Sequence, residues 1–226
     1  MISSSLSDWA PSSRSSLKSS KNCAENKAYY RYNPLGVMAI LTTKRLCLRP
    51  WKETDWIPFF EMNSDPRVME FFPAMLSQEE SLRMGKRLQA KIEERGWGFW
   101  AVSIPGKAEF IGFIGLNFID HDTLPVPFTP ATEIGWRLAF EHWGQGYATE
   151  GATACLAYGF ETLKLSAIVA FTAASNTRSR NVMEKLGMQR DPQDDFDHPK
   201  VPATSPLRKH VLYRLSQKKY NRPSLS

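Results

Sequence analysis

Cysteine is scarce: Cys23, Cys47 and Cys155 stand far apart in a chain of 226 residues. That spacing excludes a disulfide framework, and there is no CxxC pair to hold zinc. Thiols used this sparingly fit a reducing cytosol. Long apolar runs are missing too. No stretch approaches the roughly 18 residues of a membrane span. The richest, Phe110 to Ile119, contains two glycines and an asparagine and reads as a strand. HExxH and G-x-x-x-x-G-K-[ST] are absent, which removes one class of zinc peptidase and the P-loop enzymes.

What is present is ordinary for a folded domain. Hydrophobic residues make up 42% and charged residues 23%, which excludes a wholly disordered chain, a collagen or a coiled-coil rod. The length allows one domain with a sizeable core, or two small ones. The net charge of +6 invites a nucleic-acid reading, but its distribution argues against one. Residues 1–37 carry Arg14, Lys18, Lys21, Lys27 and Arg31 against Asp8 and Glu25, so half the excess sits there. The remainder is diffuse and forms no phosphate-tracking stripe; a basic pocket for a polyanionic cofactor explains it equally well.

Ten of the first twenty residues are serine. With no helical or strand periodicity, residues 1–37 read as a disordered leader. It lacks an amphipathic Arg stripe and an apolar secretion segment, and reads as an upstream extension rather than a targeting peptide. Residues 38–218 read as the folded domain and 219–226 as a flexible tail. Within the domain, Arg45–Arg49 alternates as a strand stopped by Pro50. Thr54 is a plausible cap for a helix presenting Trp56, Phe59 and Phe60, and Pro66 opens a short helix to Phe72. Ser77 with Glu80 makes a capping box for a helix to about Arg95, closed by Gly96. Strands follow at Phe99–Ile104, Phe110–Phe118 and Thr132–Leu138. A helix spans Tyr147–Leu163, a strand Ala167–Thr172, a helix Asn176–Leu186 and a last strand Val211–Leu215. This alternation predicts a mixed α/β domain with an antiparallel start and one crossover.

The segment His142-Trp143-Gly144-Gln145-Gly146-Tyr147-Ala148-Thr149-Glu150 lies between a strand and an amphipathic helix. Two glycines permit sharp turning and close backbone approach. The helix start then offers unpaired N–H groups and a positive dipole end, which suit a phosphate or pyrophosphate; a plain tight turn remains the alternative. A dinucleotide fold does not fit. Thr149 stands at the third glycine position, and the next strand ends in Phe171-Thr172 with no acid for a ribose.

This segment resembles the acetyl-CoA pyrophosphate loop of the GCN5-related N-acetyltransferases (GNAT), in the branch that acetylates ribosomal-protein N-termini, whose form is Trp-Gly-x-Gly-Tyr-Ala-Thr-Glu. Four further blocks resemble that branch in order: Ala131–Trp136, Asn176–Met188 with its Asn-x-x-Ser and Glu-Lys-Leu-Gly-Met, Asp195–Pro199, and Leu207–Tyr213. The likeness runs from about 42 to 216. It implies a single α/β domain with a mixed, mostly antiparallel sheet whose central strands splay apart, flanked by helices.

The resemblance also implies roles. Ile134, Gly135, Trp136 and Leu138 would line the pantetheine arm as a neighbouring strand does. Trp143, Gly144, Gln145, Gly146, Tyr147, Ala148 and Thr149 would hold the pyrophosphate. Asn176 would bond a pantetheine amide, although capping its helix is sufficient reason for it. A free alkyl amine with a pKa near 10 is only about one part in a thousand neutral at pH 7, so a base is needed; Glu133 matches a frequent position, and an exposed strand glutamate is its alternative. Where many relatives place a Tyr acid, this chain has Met183. Ser179 is the substitute, with first-turn capping as its alternative. His198 and His210 lie near where the acceptor would close in. The expected activity is transfer of acetyl from the cosubstrate acetyl-CoA to a primary amine, a peptide N-terminus or a small molecule. It would occur in a ternary complex, in the cytoplasm, in a monomer or homodimer with no metal, nucleic-acid or membrane partner. A non-catalytic acyl-CoA-binding module of the same fold is the rival reading.

Overall fold

The computed structural model describes residues 30–33 and 36–221. Strands β1 (Tyr30–Asn33) and β2 (Gly36–Ala39) form an antiparallel hairpin. It stands where the sequence predicts no regular structure; the rest of the Ser-rich leader lies outside the described residues. Next come β3 (Leu41–Thr42), β4 (Cys47–Arg49), α1 (Trp56–Ser64) and α2 (Gln78–Arg95). Strands β5 (Phe99–Ile104), β6 (Ala108–Ile119) and β7 (Ala131–Leu138) precede α3 (Tyr147–Ala157), and β8 (Ala167–Ala173) precedes α4 (Thr177–Lys185). The short β9 (Gln189–Arg190) and β10 (Phe196–Asp197) and the long β11 (Lys209–Ser216) complete the chain.

One sheet runs in the order β10-β11-β8-β7-β6-β5-β4-β3, with β9 also on β11. From β3 to β7 each strand pairs antiparallel with the next. Among the described strands β7 and β8 alone run parallel, joined by the crossover through α3. The fold is thus a single α/β domain, with a mixed, mostly antiparallel sheet flanked by helices.

Local chemistry explains most of the elements. Ser77 accepts from the Glu80 amide while the Glu80 carboxylate accepts from the Ser77 amide, the reciprocal box that starts α2. Gly96, at φ 77°, ends that helix in the left-handed conformation. Helix α3 lies close to the sheet because Gly151 has no side chain; a Cβ there would meet Ile114 Cδ1 at 2.5 Å. At the start of α1 the expected Thr54 cap is replaced by a buried ion pair. Asp55 takes both Arg49 Nη1 and Nη2, at 2.7 and 2.8 Å, and accepts the Lys52 amide. The helix expected at 66–72 is a series of turns, in which Val68 and Met69 amides bond Asp65 O and Phe72 bonds Met69 O. The helix expected to reach Leu163 widens to a π-helical turn at Tyr158–Thr162.

Candidate active site

Strand β7 pairs with β6 along its whole length, Ala131 to Leu138, and β8 pairs with β11 from Ala167 to Ala173. Between them, β7 and β8 share a single registered pair, Glu133 with Val169. Beyond it the strands part, and a cleft of about 670 Å³ opens between Ile134–Leu138 on one side and Phe171–Ala173 on the other. Backbone groups on these facing edges have no neighbouring strand, so an extended chain lying in the gap can bond to them as a strand does.

The mouth of the cleft is the segment 143–149. Gly144 and Gly146 take φ of 73° and 80°, a region side chains disfavour. Beyond its chain neighbours, no atom of the described residues lies within 4 Å of where a Gly144 Cβ would stand, and at Gly146 only Arg45 Nη2 does, at 3.4 Å. The glycines therefore keep a space open. Gly146 is the N-cap of α3 and no side chain caps that end, so its first-turn N–H groups face this space. Two contacts brace the loop. Trp143 Nε1 donates to Leu138 O at 2.8 Å, pinning the loop to the end of β7. Arg45 Nη1 donates to Gln145 O at 2.9 Å, and its guanidinium carbon lies 4.5 Å from the centre of the Tyr147 ring. The same arginine donates through Nε to Glu150 at 2.6 Å. Burial works to raise the Glu150 carboxyl, but bonds from Thr43 and Arg45 outweigh it and hold the carboxyl below its ordinary value. Arg178 and Lys185 add positive charge to the lining; Arg178 stacks on Trp143 and Phe71 and pairs with Glu70.

At the other end, Glu133 accepts from Asn117 Nδ2 at 2.8 Å, and Asn117 Oδ1 accepts from Lys91 Nζ at 2.7 Å. Burial raises the Glu133 carboxyl above its ordinary value, opposed by the Asn117 bond and by the Lys91 and Lys200 charges. The imidazoles of His198 and His210 sit with ring centres 4.7 Å apart against Phe171 and Phe196, and both line the cleft. Their tautomers follow from their partners. His210 Nδ1 lies 3.1 Å from Arg208 O, which can only accept, so Nδ1 carries the proton and Nε2 a lone pair. His198 Nδ1 accepts the Lys200 amide at 3.2 Å, so its proton is on Nε2. Burial lowers His210; burial, His210 and Lys200 together hold His198 down at about 4.

Among known proteins, the sequence profile of the acetyltransferase (GNAT) domain matches residues 45–189. The chain belongs to the GNAT acetyltransferase family. An N-acetyltransferase of Bacillus subtilis, YnaD, is 30% identical over 154 residues, covering 67% of this chain and 83% of that protein. The crystal structure of a GNAT-family acetyltransferase from Bacillus anthracis is 26% identical, with a TM-score of 0.65 over 79% of this chain and 99% of that one. Mycobacterium smegmatis RimJ, solved in complex with CoA-disulfide, shares the fold at 19% identity and a TM-score of 0.59, over 82% of this chain and 85% of that one.

Of the residues this family resemblance singles out, Ile134, Gly135, Trp136, Leu138, Trp143, Gly144, Gly146, Tyr147, Ala148, Thr149, Asn176 and Ser179 line one cleft. Gln145 does not; its side chain turns back to bond Glu141 O. Glu133 is not in the lining either, because it sits at the closed end where β7 and β8 still pair. Asn176 caps α4, its Oδ1 accepting the Ser179 amide at 3.1 Å while Nδ2 donates to Thr172 and Ser179 hydroxyls. Met183 is buried and belongs to the lining of the same cleft. The cleft fits acetyl-CoA on its own chemistry. Open N–H groups and arginine and lysine side chains at the mouth suit phosphates, and the unpaired edges of β7 and β8 suit an amide-bearing arm.

Arg137 is a lining residue that the sequence does not single out, whereas Phe72 belongs to the aromatic groups it assigns to core and the acceptor-side wall. Arg137 occupies an ordinary strand position, and only the approach of the 66–76 turns brings Phe72 over it. No sequence pattern announces such a meeting.

Two expected outcomes arise here. Ser179→Ala removes the hydroxyl but keeps the amide that Asn176 caps, so melting should change by less than about 1 kcal/mol. If that hydroxyl hands a proton to a departing thiolate, turnover falls about 10-fold to 10²-fold; a drop in melting temperature with unchanged turnover limits it to structure. The second concerns acid. An unfolded His titrates near about 6.5, whereas His198 stays neutral in the fold down to about 4. Protons in that window bind the unfolded chain better, so this contribution is complete above about pH 6.5 and is lost as pH falls toward 4. Thermal melts of His198→Gln should show a shallower decline over that range than the native chain; parallel declines would count against it.

Proposed function

We propose that this protein transfers an acetyl group from acetyl-CoA to a primary amine by direct transfer in a ternary complex in the cytoplasm. The observation that carries this reading is the uncapped, glycine-opened start of α3 at the mouth of the gap between β7 and β8. Acetyl-CoA supplies the activated acetyl thioester. The chain's part is to bind and orient. The N–H groups of 146–149 suit the pyrophosphate, the β7 edge from Ile134 to Leu138 suits the pantetheine arm, and a β7 amide can steady the developing oxyanion.

A protonated amine cannot attack, so the site needs a proton acceptor. Glu133, carried by the family resemblance, has its raised affinity for protons in its favour, but reaching the cleft from its closed end takes a water. His210 supports a second reading: it lines the cleft directly with an unprotonated Nε2. Both imply loss of activity in acid. Glu133→Gln should lower kcat by about 10²-fold with acetyl-CoA affinity intact if the carboxylate is the base. If His210 is the base, His210→Asn takes that loss instead and Glu133→Gln costs less than about threefold. For the departing thiolate, Ser179 offers a hydroxyl proton.

The activity itself is tested by thiol release from acetyl-CoA with a mixed panel of peptides, polyamines and amino acids. Release that depends on an amine supports transfer. Acetyl-CoA binding with no release for any amine replaces this reading with the non-catalytic binding module.

A further inference from the structure

Among the described residues two arginines are buried, Arg49 and Arg137, and of these Arg49 alone is answered by a charge. Arg49 grips Asp55 through both terminal nitrogens, at 2.7 and 2.8 Å. Arg137, 9% exposed, has only the amide of Asn63, whose Oδ1 accepts from Nη1 at 2.6 Å. The other end of the Asn63 amide, Nδ2, is a donor and bonds Ser81 Oγ at 3.3 Å, so it offers the guanidinium no acceptor. The Arg137 Nε is buried with no acceptor, and among the described residues no carboxylate pairs with this guanidinium. Burial draws its proton affinity down to about 10. A buried cation answered by no opposite charge is costly, and the cost is relieved when an anion arrives from outside.

The cleft is where that anion can come from, because Arg137 is part of its lining. The guanidinium carbon sits 4.0 Å from the centre of the Phe72 ring and 5.5 Å from that of Phe113. Among the described residues the only acceptor for this guanidinium is Asn63 Oδ1 on Nη1, so Nε and Nη2 are without one, and that pair of donors matches the two oxygens of a carboxylate. The face of β7 that it occupies, not its place along the strand, separates this group from α3. Ile114 packs against α3 at Gly151 and pairs in register with Trp136, so Trp136 faces α3. Residues alternate along a strand; Arg137 therefore faces away from α3, toward Asn63 of α1. The pyrophosphate loop belongs to the α3 side. Phe71 and Phe72, from the turns after α1, complete a wall on the Arg137 side.

We infer that the acceptor of this enzyme carries a carboxylate besides its reacting amine, and that Arg137 beneath Phe72 receives it. This rests on the acetyl-transfer reading and names the substrate class for it. Polyamines and other purely cationic amines are then poor acceptors, and amino acids or acidic peptides good ones.

The test pairs each carboxylate-bearing amine with its carboxamide. α-Amino acids, 4-aminobutyrate, 6-aminohexanoate and an acidic peptide are compared with their amides, with putrescine and O-phosphoethanolamine as further arms. The native enzyme should favour at least one carboxylate over its amide by about 10²-fold or more in kcat/KM. Arg137→Gln, which keeps a donor toward Asn63, should erase that ratio, with the loss appearing as a raised KM for the carboxylate acceptor; Arg137→Lys should restore part of it. Equal or better use of the amides, or of putrescine, overturns the inference. So does a preference for the phosphate, or an Arg137→Gln enzyme whose acetyl-CoA affinity falls instead. If no amine is turned over, the acetyl-transfer reading fails separately. Calorimetric titration of the CoA complex with the same acid–amide pairs then still decides the carboxylate site: tighter acid binding lost in Arg137→Gln supports it, and no difference overturns it.

Discussion

Gly146→Asp should weaken acetyl-CoA binding by roughly 10³-fold while leaving the protein folded. The argument is electrostatic and local. An aspartate at the N-cap of α3 would offer its carboxylate to the same first-turn amides that now face open space. Aspartate is a favoured capping residue and one of the few that tolerate a left-handed φ, so the 80° at this position strains it less than it would most side chains. Arg45 Nη2, 3.4 Å from the new Cβ, would hold the carboxylate in place. A negative charge about 5 Å from a phosphate costs about 3 kcal/mol at an effective dielectric near 20, before the loss of the amide donors is counted. Calorimetry on the purified variant measures this. Affinity within threefold of native, in a protein with native melting, would remove the phosphates from this loop.

Gly115→Ala should abolish the folded protein or cost at least about 3 kcal/mol, a large part of the roughly 5–15 kcal/mol that holds a domain together. Gly115 lies mid-sheet, in register with Phe99 on β5 and Gly135 on β7. A Cβ there would come within 2.0 Å of the Gly98 carbonyl oxygen and 2.6 Å of Phe99 Cα. Both are backbone atoms, so no rotamer change relieves the clash. The Gly98 carbonyl also accepts the Leu116 amide at 3.1 Å, and moving it would break that bond. Circular dichroism and denaturant melts check the prediction; a variant within about 1 kcal/mol of native would show that β5 can shift as a body.

The elements legible in the sequence are those whose ends are fixed by chemistry close along the chain. Helix α2 is bounded by the Ser77–Glu80 box and Gly96, and α4 by Asn176 and Gly187; those residues act within a few positions of themselves. The phosphate-type loop was legible for the same reason, since two glycines before a helix determine both its turn and its open amides. Elsewhere distant partners decide. Pro66 permits a helix to Phe72, yet Arg67 folds back on Asp65 and the chain turns instead, sending Phe72 to Arg137. Position 137 reads as an unremarkable strand residue until α1 brings Asn63 against it. Glu133 is singled out by the family resemblance, while its seat at the closed end of the cleft is set by the Val169 register on a strand thirty-odd residues away.

That single register has a consequence for how the molecule coheres. The sheet consists of two antiparallel blocks, β3 to β7 and β8 to β11, laced together at one rung and by the α3 crossover. A ligand lying in the gap therefore serves as a seam between them. Whatever binds there stabilises the native state by mass action, in proportion to RT ln(1 + [L]/Kd). Part of that gain should appear locally, as slowed amide hydrogen exchange at 134–138 and 171–173 rather than evenly across the sheet. Cofactor supply would then govern the mechanical union of the two blocks, and so the lifetime of the protein against proteases that attack opened states.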